Sequence, residues 1–153
     1  MTEALGPVAS GAAMRDHFAP ARRVLHRRIP DALSVLVRLF ALGDTVTDDD
    51  LALAFPTTGA AGVERIGLVR RDPSGGWRAA CDLRPYGDED HGWWMASDLA
   101  EAVTGQPLHP DHVLGVGGAS LTLAAWTPRI HAPRLLDLGT GCGIQALHAA
   151  DHA

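Results

Sequence analysis

The sequence contains no lysine and no asparagine, and all thirteen of its basic residues are arginine. The formal net charge of −5 argues against non-specific binding of the whole chain to nucleic acid or to an anionic membrane. Cys81 and Cys142 are the only cysteines, so a structural disulfide is not expected and a reducing, cytoplasmic location is favoured. No charged-then-apolar leader and no run of about eighteen apolar residues appear, so the sequence predicts neither secretion nor membrane insertion.

The most informative stretch is Leu-Leu-Asp-Leu-Gly-Thr-Gly-Cys-Gly-Ile, residues 135–144. It predicts a buried strand beginning at Arg134, a tight turn, and a helix that covers Ile144 to Ala150. Glycine at every second position of the turn removes every second Cβ, so the backbone can adopt positive φ and a ligand can lie directly against it. The stretch therefore predicts a ligand-binding corner.

The spacing of this turn is G-x-G-x-G, and Asp137 stands two residues before the first glycine. A carboxylate there would repel a pyrophosphate but can accept from an ammonium group, which favours a ligand that carries an amino acid. The stretch from Asp137 to Gly143 resembles the first motif of class I S-adenosylmethionine-dependent methyltransferases. The alternative is a glycine-rich turn of a Rossmann-like domain with another ligand or none.

The resemblance implies a set of cofactor contacts. In that family the glycine turn lies against the methionine and adenosine parts of S-adenosyl-L-methionine, and the motif acid serves the amino group. The expected contacts are Asp137, Gly139, Thr140, Gly141, Cys142 and Gly143. The segment before the motif covers the cofactor in such enzymes, so Gly117, Gly118 and Ser120 are weaker candidates.

The methyl acceptor is not specified. Enzymes of this superfamily that methylate nitrogen carry an Asn/Asp-Pro-Pro-aromatic motif, and this sequence has no Asn and no Pro-Pro pair. The second-strand acid that would bind the ribose is missing too, so the catalytic residues are unknown. The order of elements is similar to bacterial methyltransferases of protein glutamine or ribosomal RNA. We therefore expect an N-terminal fragment, inactive alone, whose acceptor is a macromolecule, protein or RNA.

The predicted fold class is α+β. Residues 1–14 are expected to be disordered, residues 15–105 to form a winged-helix-like domain of three helices and a β-hairpin, residues 106–133 to form a linker with a hairpin and a helix, and residues 134–153 to begin a truncated Rossmann-like α/β domain. A helix over residues 15–29 is expected first, followed by the three helices of the winged helix over residues 30–43, 47–56 and 58–67. Apolar residues at helical spacing predict one compact core that contains Leu33, Leu36, Val37, Phe40, Leu51, Val63 and Ile66.

A hairpin follows, with strands at 68–71 and 77–83, and residues 92–97 are expected to add a third strand to it. Trp77, Trp93 and Trp94 are expected to fill the core or a domain interface rather than to stack on bases. Further on, we expect a helix at 98–104 that ends at Gly105, a strand at 113–118 and a helix at 119–126.

A free-standing winged-helix module for nucleic-acid binding or dimerisation remains the alternative function. The third helix of the winged helix, at 58–67, carries one basic residue, Arg65, beside one acidic residue, Glu64. This composition is unsuited to phosphate contacts. The hairpin carries Arg70, Arg71 and Arg78, but Asp72 and Asp82 reduce its positive charge. The densest basic patch is Arg22, Arg23, Arg27 and Arg28, for which a solvated helix face is favoured over an RNA contact. His109, Asp111 and His112 are interpreted as part of a linker, and no metal is predicted.

Overall fold

A computed structural model describes residues 1–87 and 90–153. In this part of the chain there are eight α-helices and two small antiparallel sheets of two strands each, which confirms the predicted α+β class. The chain divides into two compact units, residues 1–83 with 99–108 and residues 84–98 with 109–153. Within the described ranges, no helix is both long enough and apolar enough to cross a membrane.

The helices are α1 (Thr2–Ala13), α2 (Ala19–Leu25), α3 (Ala32–Leu36), α4 (Asp48–Ala54), α5 (Gly59–Arg65), α6 (Glu101–Thr104), α7 (Gly118–Trp126) and α8 (Ile144–Ala149). The strands are β1 (Val69–Arg71), β2 (Trp77–Ala79), β3 (Asp82–Gly87) and β4 (Gly92–Ser97). Helix α3 continues as a π-helical segment, Val37–Ala41, in which the N–H of Leu42 donates to the carbonyl of Val37 at 3.1 Å.

The N-terminus is helical where disorder was expected. Helix α1 is interrupted at Gly6, whose φ of 73° is not helical. Its buried side chains are mostly alanine, and they form a cluster with α2 and the π-helical segment: Ala4, Leu5, Ala9, Ala13, Ala21, Leu25, Val37 and Leu42. The prediction was wrong because it looked for large apolar residues at helical spacing, whereas alanines bury a helix face by close approach of the backbones.

A second cluster forms the other core of the first unit: Val35, Leu39, Phe40, Val46, Leu51, Val63, Val69, Trp77 and Ala79. The predicted single core is thus divided, since Val37 and Leu33 belong to the α1 cluster while Leu36 and Phe40 belong to this one. Ile66 was expected to be buried but is 61% exposed. Helix α5 ends one residue before it, and the backbone turns there at Gly67, with φ of 78°.

The helix starts are capped largely as the sequence indicated. Thr47 Oγ1 accepts from the N–H of Asp50 at 3.1 Å, and the Asp50 carboxylate accepts from the N–H of Thr47 at 3.2 Å. Helix α3 begins after Asp31 rather than at Pro30, because Asp31 Oδ1 accepts from the N–H of Ser34 at 2.7 Å. Thr58 precedes α5 but makes no capping hydrogen bond, contrary to expectation.

The first hairpin pairs β1 with β2, with Val69 opposite Ala79 and Arg71 opposite Trp77. Val46 forms an isolated bridge to Trp77. The return strand is shorter than predicted: the N–H of Ala80 donates to the carbonyl of Leu68 and the chain then bends. Consequently β3 is a separate strand that pairs with β4, and the expected third strand of the first sheet is wrong.

In the second unit, α7 and α8 lie where helices were predicted, but residues 113–118 and 134–138 form no strand. Leu136 and Leu138 are 80% and 83% exposed, so the expected buried strand is wrong for this chain. Among residues 1–87 and 90–153 no strand pairs with 134–138, and an isolated strand has no partner for its N–H and C=O groups.

Candidate functional site

The glycine turn has the backbone conformation that its sequence predicts. Gly139, Gly141 and Gly143 have φ of 71°, 54° and 83°. Other residue types pay roughly 1–2 kcal/mol in this left-handed region. A Cβ at Gly139 or Gly143 would meet nothing within 4 Å, so conformation rather than crowding requires glycine at these two positions. The turn closes where the N–H of Gly143 donates to the carbonyl of Thr140 at 2.8 Å, and α8 begins at the next residue.

Asp137 lies at the entrance to this turn and is bonded to it. The hydroxyl of Thr140 donates to Asp137 Oδ2 at 2.8 Å. The carboxylate is half-buried, and the thiol-bearing Cys142 is half-buried within the turn. The six predicted contacts from Asp137 to Gly143 therefore lie in one short loop, with one acid held beside three left-handed glycines.

The weaker candidates lie at the start of α7. Gly117 is the residue before the helix and has φ of −120°, a conformation open to any residue type. The carbonyl of Ser120 accepts from Nε2 of Gln145 at 2.9 Å. This bond joins α7 to α8, so the structure brings Ser120 to the helix that follows the glycine turn.

The histidines of the linker have separate partners. His109 Nδ1 contacts the carboxylate of Asp111, whereas His112 Nδ1 lies 3.9 Å from Oδ2 of Asp98. Within the ranges that the structure describes, no group of three or more His, Cys, Asp and Glu side chains is placed to hold a metal ion. The geometry therefore assigns no metal site to these residues.

Residues 1–80 match a family described as a domain of unknown function, DUF7059. The chain belongs to this family. No curated protein and no solved structure matches the chain. The DUF7059 region holds α1 to α5 and the first hairpin, whereas the glycine turn lies in the other compact unit.

Within the DUF7059 region, all four arginines of the basic patch on and after α2 are exposed, as expected of a solvated face, and two of them also bond to other parts of the protein. Arg22 Nε donates to Asp44 Oδ1 at 2.7 Å and Arg28 Nη1 donates to the carbonyl of Ala4 at 2.8 Å. The sequence could not indicate these bonds, because the partners are more than twenty residues apart.

An aromatic cluster in the second unit was also not foreseen. The hydroxyl of Tyr86 is 2.7 Å from Nε2 of His148 on α8. Trp93 stacks on both Tyr86 and His91, with ring centroids 6.0 Å and 5.1 Å apart.

Of the tryptophans that were expected to fill the core or an interface, Trp77 is buried. Trp94 is 68% exposed, because it follows Trp93 in β4 and neighbouring residues of a strand point to opposite faces.

Proposed function

We propose that this chain contains the acceptor-recognition part and the first cofactor-binding turn of a class I S-adenosylmethionine-dependent methyltransferase. One observation carries the proposal: three alternate glycines all adopt left-handed φ, directly after a half-buried acid and directly before a helix. A Cβ at Gly139 or Gly143 would have no protein atom within 4 Å. The open face of the turn is therefore available to a ligand that approaches the backbone.

Asp137 has the chemistry to bind the amino group of the cofactor's methionine part. Its bond from Thr140 uses Oδ2 and fixes the orientation of the carboxylate. An ionised carboxylate has two oxygens with about four acceptor positions, so it can accept from an ammonium group as well. A charge-assisted bond of this kind would select a ligand that carries an amino acid.

The exposed leucines beside the turn support a Rossmann-like context. Leu135, Leu136 and Leu138 form an apolar run, and all three are exposed. Strands of a parallel sheet are buried on both faces and are nearly continuous in apolar residues, so this run has the composition of such a strand. The composition of this run, rather than its conformation, is what supports the Rossmann-like context.

The first unit has the element order of a winged helix. Helix α3 is followed by the Val46 bridge, α4, α5 and the β1–β2 hairpin. We propose that this module recognises the methyl acceptor, protein or RNA. A free-standing nucleic-acid-binding or dimerisation module has no use for the glycine turn, which favours the methyltransferase.

Amide chemical shifts of the ¹⁵N-labelled chain test the cofactor proposal. S-adenosylmethionine at about millimolar concentration should shift the amides of residues 137–143, because weak binding of that order is within reach of the method. ATP and NAD at the same concentration should not. Gly141→Val should abolish the shifts, since valine resists φ of 54°, whereas Gly92→Ala, in open space without positive φ, should keep them.

Three results would count against the proposal: no shifts in the turn, equal shifts with ATP, or shifts that persist in Gly141→Val. We expect no methyl transfer by this chain alone. A micromolar dissociation constant for the chain by itself would show that we have misjudged where the cofactor site lies, because the glycine turn alone should bind only weakly.

A further inference from the structure

A cavity of about 270 Å³ in the first unit is lined by α2, the segment that links α2 to α3, and the π-helical segment. Its polar lining consists of three guanidinium groups, one imidazole and one carboxylate: Arg22, Arg28, Arg38, His26 and Asp44. Leu25 and Pro30 add apolar walls. The lining therefore contains three positively charged arginines and one negatively charged aspartate, with His26 left out of this count.

The protein itself holds the three guanidinium groups in place. Arg22 donates to the carbonyl of Leu42 at 3.0 Å as well as to Asp44. Arg28 donates to the carbonyl of Ala4, and Arg38 Nη1 donates to Asp50 at 3.1 Å. A guanidinium group has five N–H donors, so these anchoring bonds leave each of them able to donate further. Because their orientation is already fixed, less side-chain entropy is lost when an anion binds.

The lining of the cavity differs in charge from the whole chain. It contains three arginines and one aspartate, whereas the chain has a net charge of −5. Asp31 and Asp50 pair with Arg28 and Arg38, but neither is among the residues that line the cavity. Arg23 and Arg27 extend the positive surface beside the cavity. The local potential thus favours an anion.

We propose that this cavity binds the phosphate of a nucleotide, whether free or within an RNA strand. The planar N–H forks of arginine match phosphate oxygens in pairs, and three such groups line this one cavity. A volume of 270 Å³ lies just below the usual range for small-molecule sites, about 300–1,000 Å³. A cavity of this size has room for one phosphate with its sugar, and the sugar would lie against Leu25 and Pro30. This inference does not depend on the proposed methyl transfer.

Calorimetry of the whole chain with four probes tests the proposal: inorganic phosphate, AMP, an unstructured RNA of about ten nucleotides, and an acidic peptide of similar charge. Saturable binding of AMP, matched by the RNA, would support a free nucleotide as the ligand. RNA binding at least tenfold tighter than AMP binding would support a strand. Absence of binding by all phosphate probes at about millimolar concentration, or equal binding of the acidic peptide, would overturn it.

Matched substitutions locate the binding. Arg28→Gln should weaken phosphate binding about tenfold, as expected for one charge-assisted bond. Arg23→Gln, which removes a neighbouring charge outside the lining, should change it by less than about twofold. An equal loss in both variants would show diffuse attraction to the patch and would reject the cavity.

A third variant separates binding from folding. Asp44→Asn removes the only carboxylate of the lining but keeps an acceptor for Arg22, so phosphate affinity should rise several-fold. Damage to the fold cannot produce a rise. If Arg28→Gln does not fold, because its bond to Ala4 also holds α1, the Asp44→Asn result decides. Unchanged or weaker binding by folded Asp44→Asn would contradict the proposal.

Discussion

The indole Nε1 of Trp77 donates to Oδ1 of Asp48 at 2.7 Å, so one side chain joins the first hairpin to the first turn of α4. The backbone of Trp77 exchanges two bonds of 2.9 Å with Val46, and the guanidinium carbon of Arg71 lies 3.8 Å from the indole centroid. The residue is 2% exposed. Three separate elements of the first unit therefore depend on Trp77.

Trp77→Ala should lower the free energy of unfolding by about 3–5 kcal/mol, the usual cost of deleting a large buried aromatic side chain. Urea denaturation measures the change. Trp94→Ala is the matched control: Trp94 is 68% exposed, and its loss should cost less than about 0.5 kcal/mol. Similar costs for the two variants would show that Trp77 does not organise the core.

Gly43 should tolerate no side chain. It ends the helical segment with φ of 65°, and a Cβ there would collide with Cγ1 of Val103. Gly105 has nearly the same φ, 66°, but open space around it. Gly105→Ala should therefore cost only the left-handed strain, about 1–2 kcal/mol, whereas Gly43→Ala should cost clearly more. Melting temperatures would reveal the difference, and equal losses would contradict the collision.

Asp31 should make stability depend on acid pH. The N–H of Ser34 donates to its carboxylate, and this bond holds the pKa of Asp31 below its usual value of 3.8. A carboxyl group whose pKa is lowered on folding contributes stability above its unfolded pKa, and the contribution is lost as pH falls through the folded pKa. Asp31→Asn keeps a good cap but cannot titrate. Below about pH 4 the wild type should therefore lose more stability than the variant in denaturation curves. Superimposable pH profiles would refute this.

Local chemistry explains which parts of the fold the sequence could predict. Thr47 with Asp50, Gly105 and the alternate glycines each act within a few residues, so their patterns indicated the cap, the helix end and the turn. The pairing of β3 with β4, by contrast, depends on where the first hairpin stops. The hairpin ends where the chain bends at residues 80–81, after the N–H of Ala80 donates to the carbonyl of Leu68, and no periodicity shows that bend.

The candidate sites divide in the same way. Conformation within the glycine turn follows from its own residues, whereas the cavity around Arg22 needs groups from α2, the π-helical segment and Asp44. The sequence indicated the basic patch but not the cavity. It also predicted a strand at 134–138, because an apolar run fits a buried strand, yet a strand forms only where another supplies hydrogen bonds.

Asp137 should serve the cofactor rather than merely stabilise the turn. In the complete methyltransferase that we propose, Asp137→Asn should weaken S-adenosylmethionine binding about tenfold to a hundredfold, since a hydrogen bond to a charged group contributes about 1.5–3 kcal/mol. The amide can still accept from Thr140, so the melting temperature should hardly change. Thr140→Val should do the reverse, because it breaks the bond within the turn but keeps the charge. Calorimetry and thermal unfolding of both variants separate the roles. If Asp137→Asn left affinity unchanged while lowering the melting temperature, the carboxylate would be structural only.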